Sequence, residues 1–193
     1  MNENKIINFL FEIASLRRIT RSHRQFIDNA NDNIADHSFR AAIIGMILAK
    51  MENCDENKVL KMCLFHDLAE ARTGDANFIN KLYGTLRHAE AIRDQTENLP
   101  IADEIREILK EFGERQSKES IVCKDADNLD QMLLQQEYFY KDGKNSRIWQ
   151  THTERFLITE SAKKIAAGIK NANPFEWLYD LAEKKTDEKI DRG

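Results

Sequence analysis

A histidine and two acidic residues interrupt the apolar face of a helix in the middle of this chain. The apolar spacing predicts that helix over residues 56–71. At about 100° per residue, one arc of it carries apolar and polar side chains together, namely Val59, Met62, Cys63, His66, Asp67 and Glu70. Burying an unpaired carboxylate costs several kcal/mol, so a divalent metal is expected to compensate these groups. The alternative is a helix that ends near Phe65 and leaves His66 and Asp67 as an ordinary C-terminus.

The predicted helix over residues 35–51 is apolar nearly all round after its first turn. A helix of that kind belongs in a protein core. Its polar side chains gather at the N-terminal end, which holds Asp36, His37, Ser38 and Arg40. The pattern predicts a polar pocket at one end of the core, although Asp36 or Asn33 could instead be a helix cap.

A third inward-pointing polar group is expected in a helix that follows residue 121. Asp127 lies on an inward stripe of this helix, which it shares with Cys123, Leu134 and Tyr138. Asp125 and Asp130 lie off that stripe, where solvated or supporting roles suit them better. Asp127 is therefore the acidic residue of this segment that we expect at a buried site.

Together the three segments supply His37, His66, Asp67 and Asp127. Two neutral imidazoles and two carboxylates form a mixed nitrogen and oxygen ligand set. Such a set suits Mn, Fe, Co, Ni, Zn or Mg and leaves open positions for water and substrate. The sequence predicts one divalent metal ion, whose identity this ligand set does not determine.

The order and spacing of these residues resemble the HD-domain metal-dependent phosphohydrolases, whose signature is H…HD…D. The longer phrases are similar to the 5'-deoxynucleotidase branch of that family: residues 35–40 (ADHSFR), 65–70 (FHDLAE), 73–75 (TGD) and 124–127 (KDAD). The resemblance extends over roughly residues 5 to 170. It implies a helical bundle with a metal site between core helices, which hydrolyses deoxynucleoside 5'-monophosphates to deoxynucleoside and phosphate.

The resemblance also implies roles for two acidic residues that follow the His-Asp pair. Glu70 matches the family's acidic residue that accepts a proton from water or orients it, although it could instead hold His66 in one tautomer. Asp75 matches the position that contacts the sugar, since a carboxylate can accept from a 3'-hydroxyl. A helix cap is the alternative for Asp75.

The basic stretch over residues 17–24 is where the family holds the nucleotide phosphate. The resemblance implies a phosphate contact by Arg21, with Arg24 as the substitute because the register differs by a residue or more. His23 falls where the family usually has a tryptophan that contacts sugar or base. The absence of that tryptophan leaves the base and sugar preference open. A solvated helix end is the structural alternative for the whole stretch.

Two further residues have a functional and a structural interpretation. Some members of the superfamily hold a second metal with extra histidines after the HD pair, so His88 could be such a ligand. The chain lacks the consecutive histidines that accompany those sites, and a surface histidine on a charged helix is the alternative. Lys81 could reach substrate or could be a surface lysine.

Composition and patterning predict a single all-α domain over residues 1–193, with a charged, frayed tail from about 184 to 193. A net charge of −4 and an isoelectric point near 5.8 argue against a nucleic-acid polymer as partner. No apolar run is long enough for a membrane span. Three cysteines without a C-x-x-C pair favour free thiols in a reducing cytoplasm.

The family resemblance leads us to expect a homodimer that acts on a small nucleotide. Two alternatives to the deoxynucleotidase stay open from the sequence. One is an HD hydrolase of another phosphate ester, such as a cyclic nucleotide, a nucleoside triphosphate or an alarmone. The other is a non-catalytic module that binds a nucleotide without turnover.

Overall fold

The computed structural model describes residues 3–26, 31–142 and 145–190, and over these residues the fold is all-α, as predicted. The α-helices are α1 (Glu3–Ile13), α2 (Ile34–Glu52), α3 (Glu56–Phe65), α4 (Glu70–Thr73), α5 (Phe78–Tyr83), α6 (His88–Gln95), α7 (Ala102–Glu114), α8 (Lys118–Asp142), α9 (Asn145–Glu154), α10 (Glu160–Ile169) and α11 (Glu176–Ile190). Two short 3₁₀ segments, Ala14–Arg18 and Ser22–Gln25, lie between α1 and α2. Helix α11 continues to Ile190, past the point where the sequence predicts fraying, and residues 191–193 lie outside the described part.

The centre of the fold is the contact of α2 with α3 and α8. The main core is apolar and consists of side chains from α2, α3, α7, α8, α10 and the residues just before α10, among them Leu48, Val59, Met62, Val122, Leu129, Met132, Leu157 and Ala166. Gly45 lets α2 and α3 approach closely, because a Cβ atom at this position would lie 2.7 Å from Cys63 Sγ and 2.9 Å from Val59 Cγ1. The helices that carry the predicted ligands therefore share one packed core.

Helix α2 lies in the core as predicted, but along one side only, although its apolar residues run nearly all round the helix. One face packs on α3 and α8, but the other exposes several large apolar side chains: Phe39, Ile43, Met46, Ile47 and Met51. Phe39 is 67% exposed. The neighbouring helices cover one side of α2, and hydrophobicity alone does not show which apolar residues find a partner.

The predicted helix over residues 56–71 is broken in the structure. Helix α3 ends at Phe65, and the chain makes a series of turns before α4 begins at Glu70. Hydrogen bonds between residues three apart, from Leu68 N to Phe65 O and from Glu70 N to Asp67 O, replace the α-helical pattern. His66 and Asp67 thus belong to a tight turn at the C-terminus of α3.

The start of α2 is capped by Asn33, whose side chain accepts a hydrogen bond from Asp36 N at 3.0 Å. This cap fixes the first turn of the helix, in which His37 lies; Arg40 follows in the next turn. No helix within the described residues is long and apolar enough to cross a membrane.

Candidate active site

The structure brings together the four side chains that the sequence proposes as metal ligands. His37 Nε2 lies 3.1 Å from His66 Nε2 and 3.3 Å from Asp127 Oδ1. Asp67 Oδ2 lies 3.4 Å from His37 Nε2 and 3.1 Å from His66 Nε2. Donor atoms that surround one ion at about 2.1 Å are separated by about 3.0 to 3.4 Å. The spacing therefore fits a single divalent cation.

The other nitrogen of each imidazole is held by a hydrogen bond. His37 Nδ1 donates to Asp130 Oδ2 at 2.5 Å, and His66 Nδ1 donates to the carbonyl oxygen of Cys63 at 2.8 Å. In the neutral ring, these bonds select the tautomer that carries its proton on Nδ1. The Nε2 atom then faces the cluster with a free electron pair. Asp130 is in turn bound by Arg40, so it has the supporting role that the sequence suggested.

The two aspartates are held in their charged form. Burial opposes this, but the charge of Lys124 and the imidazoles of His37 and His66 bring the pKa of Asp127 well below its usual range. The same two imidazoles outweigh burial at Asp67 and lower its pKa. A pair of buried carboxylates beside two histidine nitrogens is a suitable donor set for a hard or borderline cation.

Lys124 is a contact that the sequence analysis did not identify. Its Nζ donates to Asp127 Oδ2 at 2.6 Å, which leaves Oδ1 of the same carboxylate facing His37. Lys124 lies three residues before Asp127 on the same helix. Side chains at this spacing are neighbours on a helix surface, so the sequence alone could have predicted the ion pair. Asp125, by contrast, is fully buried rather than solvated, and it accepts hydrogen bonds from Ile158 N and Thr159 N ahead of α10.

Arg21 lies beside the cluster. Its Nη1 is 3.5 Å from Asp67 Oδ2, its Nη2 donates to Gln131 Oε1 at 3.2 Å, and its side chain is only 11% exposed. Burial acts against its charge, yet the carboxylates of Asp67 and Asp75 raise its pKa. Arg24 is exposed, so Arg21 is the better placed of the two arginines to meet an anion at this centre.

His23 and Asp75 both hold the segment around Arg21. His23 is buried, and its Nε2 lies 3.0 Å from Asp32 Oδ2. Asp75 Oδ2 accepts a hydrogen bond from Ser22 N at 2.6 Å. Asp75 is not the cap of the next helix, because Asn77 caps α5.

Glu70 is 4% exposed, and its Oε2 atom is buried without a hydrogen-bond partner in the described part of the protein. Burial, together with the negative charges of Asp67 and Asp75, raises the pKa of Glu70 to about 9. A buried carboxyl group without a partner, next to two further acids, fits a site that receives a positive charge.

Lys81 and His88 lie at the margin of this region. Lys81 is exposed, and its charge opposes the rise in the pKa of Glu70. Burial and, as a smaller cause, the charge of Lys81 lower the pKa of His88. His88 is half-buried, with its Nε2 unpaired among the described residues. Among the residues that the structure describes, the side chains close enough to share an ion are His37, His66 and Asp127, with Asp67 against both imidazoles. His88 is not part of it.

A helical shell around two histidines and two aspartates at ligand spacing is the arrangement of a metal-dependent hydrolase. Residues 13–172 match the HD domain family. The chain belongs to this family.

The chain is similar to 5'-deoxynucleotidase HDDC2 of Mus musculus, with 26% identity over 149 residues that make up 74% of each chain. It is 29% identical over 119 residues to 5'-deoxynucleotidase HDDC2 of Dictyostelium discoideum, covering 55% of this chain and 63% of that protein. A conserved hypothetical protein from Pyrococcus furiosus has a similar structure, with a TM-score of 0.69, 26% identity, and coverage of 86% of this chain and 99% of that one. The predicted resemblance to the 5'-deoxynucleotidase-like HD family is confirmed.

Proposed function

We propose that this protein is a metal-dependent phosphomonoesterase that converts deoxynucleoside 5'-monophosphates to deoxynucleosides and phosphate. The observation that carries the proposal is the convergence of His37, His66, Asp67 and Asp127: the two imidazole Nε2 atoms lie 3.1 Å apart and 3.1 to 4.0 Å from the carboxylate oxygens. The relatives named 5'-deoxynucleotidases support the substrate class. The buried Arg21 beside the cluster supports a phosphate-bearing substrate.

The proposed ligands are the Nε2 atoms of the two histidines, Asp127 Oδ1 and Asp67 Oδ2. A divalent cation at this position would polarise a phosphoryl oxygen and lower the pKa of water towards neutrality. Mn, Co, Fe, Ni, Zn and Mg all suit the donor set. The cellular supply of metals would then decide which of them the protein holds.

The protein's own groups supply the remaining parts of the reaction. Arg21 would bind the phosphate, and its guanidinium would compensate the negative charge that builds up as the ester bond breaks. Glu70, in the charged form that a nearby cation favours, would accept the proton of the attacking water through its unpaired oxygen. Asp75 remains a proposed sugar contact, through the oxygen that Ser22 does not occupy.

A panel of nucleoside monophosphates, assayed for released phosphate with each candidate metal, tests this function. Turnover of deoxynucleotides that is lost in Asp67→Ala and retained in Asp36→Asn supports it, since Asp36 is an exposed acid that accepts a hydrogen bond from the Asn33 side chain. Release of pyrophosphate or triphosphate from a nucleoside triphosphate would point to another HD hydrolase. Nucleotide binding without turnover under every metal would point to a binding module.

We also propose a homodimer, for which the uncovered apolar face of α2 is the supporting feature. Burying several large side chains of this face would contribute roughly 25 cal/mol for each Å² removed from water. Light scattering after size exclusion would give the mass. A dimer that dissociates in Ile47→Glu but not in Lys50→Glu supports this surface, and a monomeric protein contradicts the proposal.

A further inference from the structure

Asp32 lies at the centre of a hydrogen-bond network next to the proposed phosphate-binding residue. His23 Nε2 is 3.1 Å from Asp32 Oδ1 and 3.0 Å from Oδ2, and the hydroxyl of Tyr138 donates to Oδ1 at 3.0 Å. The side chains of His23 and Asp32 are only 11% and 14% exposed. Burial would raise the pKa of Asp32, but the bonds from His23 and Tyr138 lower it, so the group is a carboxylate that accepts hydrogen bonds.

The backbone of the same aspartate binds Arg21 directly. The N–H of Arg21 donates to the carbonyl oxygen of Asp32 at 3.2 Å, and the next N–H, that of Ser22, donates to Asp75 Oδ2 at 2.6 Å. One residue pair earlier, Thr20 and Asn33 form an isolated antiparallel bridge. The peptide groups around Arg21 are therefore fixed on both sides, and Asp32 contributes through its main chain and its side chain.

Tyr138 connects this network to the metal-ligand helix. It lies on α8, which also carries Asp127 and the Arg21 partner Gln131. A long arginine side chain can meet a small anion at a defined distance only if its backbone is held in place. Small displacements matter, because a misplacement of about 1 Å can cost about a hundredfold in rate.

We propose that Asp32 is a positioning residue that sets the Arg21 guanidinium at the distance the substrate phosphate requires. His23 is buried and acts through its hydrogen bond to Asp32; it does not take the sugar or base contact of the tryptophan that the family usually has at this position. This inference rests on the proposed phosphomonoesterase function. It assigns Asp32 and Tyr138 a part in substrate binding, although neither contacts the reacting atoms.

The test compares Asp32→Ala, His23→Ala, His23→Gln and Tyr138→Phe with wild type in the presence of Mn²⁺. The readouts are kcat and KM for several deoxynucleoside monophosphates, and Ki for inorganic phosphate. We expect Asp32→Ala and His23→Ala to raise KM and the phosphate Ki together, by about tenfold or more, with the same factor for every base. His23→Gln retains an N–H donor and should recover most of the affinity.

Two features separate positioning from a merely structural role. A structural defect lowers the melting temperature and the folded fraction, which reduces kcat and leaves the KM and Ki of the remaining enzyme unchanged. Tyr138→Phe keeps the ring and removes the hydroxyl group that donates to Asp32, so it should fold and raise KM and Ki by a few-fold. Asp36→Asn, which removes a charge four residues away, is the matched control and should leave both constants unchanged.

The inference is overturned if folded Asp32→Ala retains the wild-type phosphate Ki, or if the loss in His23→Ala and His23→Gln depends on the base, as expected for a stacking residue. Failure of the proposed function would be recognised separately, because wild type would then hydrolyse no nucleoside monophosphate. In that case calorimetric titration of inorganic phosphate into Mn²⁺-loaded wild type and Asp32→Ala tests whether Asp32 positions the phosphate-binding residue. Equal affinities, or the absence of binding to wild type, reject the positioning role.

Discussion

His37 donates from Nδ1 to Asp130 Oδ2 at 2.5 Å, while its Nε2 lies 3.1 Å from His66 Nε2. The two contacts use opposite sides of one buried ring. Burial and the charge of Arg21 act against protonation of this imidazole, yet the hydrogen bonds to Asp127, Asp130 and Asp67 raise its pKa. A cation that binds to His37 Nε2 must therefore displace a proton from the ring. Asp130 holds the ring in the orientation in which Nε2 can bind the cation instead.

The first prediction is that Asp130→Asn weakens binding of a divalent metal by about 10- to 100-fold. The amide is a poorer acceptor for the Nδ1 proton, so His37 becomes a weaker and less oriented donor. Titration calorimetry with Mn²⁺ measures the change. Glu137→Gln is the control, because Glu137 also binds Arg40 but has no contact with His37 among those described. Equal losses in both variants would show that Arg40, and not Asp130, supports the ligand.

The second prediction is that Glu70→Gln lowers kcat for the proposed reaction by about a hundredfold or more, with a smaller change in KM. Gln has nearly the same shape but cannot accept the proton of the attacking water. Steady-state kinetics on the metal-loaded enzyme measures both constants. A variant with unchanged kcat would exclude Glu70 as the group that accepts the proton, and the hydrogen bond of His66 Nδ1 to the Cys63 carbonyl already excludes Glu70 as the group that sets the His66 tautomer.

The third prediction concerns the pH dependence of the metal-free protein. The raised pKa of Glu70, about 9, means that the folded state keeps a proton that the unfolded chain releases above about pH 4.3. Because the folded state then binds more protons than the unfolded state, this group makes stability fall as pH rises from about 4 to 9. Glu70→Gln removes the effect. Its advantage in free energy of unfolding over wild type should increase by roughly 1.4 kcal/mol for each pH unit between about pH 5 and pH 8.

Urea unfolding at several pH values in the presence of a chelator measures this difference. The advantage should shrink when Mn²⁺ is added, since a nearby cation favours the charged carboxylate. Asp103→Asn, at an acid whose side chain is 92% exposed, provides the control for the loss of one charge. If the two variants have the same pH profile, the raised pKa of Glu70 is not a property of the folded protein.

The sequence predicted the helical class and the identity of the converging residues, because both depend on patterns that are local in the chain. Apolar periodicity identified the helices, and the chemical types of His37, His66, Asp67 and Asp127 identified a ligand set. The helix boundary at Phe65 was harder to predict. The spacing of residues along the chain up to Glu70 is the same whether the helix continues or ends in a turn, so it does not show where the helix ends. The hydrogen bond from His66 to the Cys63 carbonyl, which belongs to that turn, is seen only in the structure.

Other features depend on contacts between distant segments. The uncovered face of α2 could not be predicted, since a stripe of apolar residues does not reveal whether a partner covers it. The role of Asp32 was equally hidden, because it needs His23 from one segment and Tyr138 from another 106 residues away. Neither apolar periodicity nor residue spacing along the chain signals a contact between segments so far apart.

The fourth prediction is that metal binding stabilises the fold and that the effect requires Asp127. A ligand at a hundred times its dissociation constant adds about 2.7 kcal/mol, which for a domain of this size corresponds to a rise in melting temperature of about 5 to 10 °C. Chelation should reverse it. Calorimetry with Mn²⁺, Zn²⁺ and Mg²⁺ measures the shift. Asp127→Ala should lose it, whereas a shift that persists in this variant would place the metal elsewhere.

The fifth prediction is that Gly45→Ala disturbs both the core and the metal centre. The added Cβ would lie 2.7 Å from Cys63 Sγ and 2.9 Å from Val59 Cγ1, so α3 must move away from α2, at a cost of about 1 to 3 kcal/mol. Helix α2 carries His37, and α3 leads directly into His66, so the movement also separates the two imidazoles. Mn²⁺ affinity should therefore fall together with stability.

Gly113→Ala, on α7, is the matched substitution, because a Cβ atom at this position would have no neighbouring atom within 4 Å. Alanine is the better helix former, so this variant should gain up to about 1 kcal/mol and keep the wild-type affinity for Mn²⁺. Urea unfolding and calorimetric titration of both variants provide the comparison. If Gly45→Ala is destabilised but still binds Mn²⁺ like wild type, the α2–α3 distance does not set the His37–His66 spacing, and the turn that follows Phe65 must hold His66 in place without help from the helix before it.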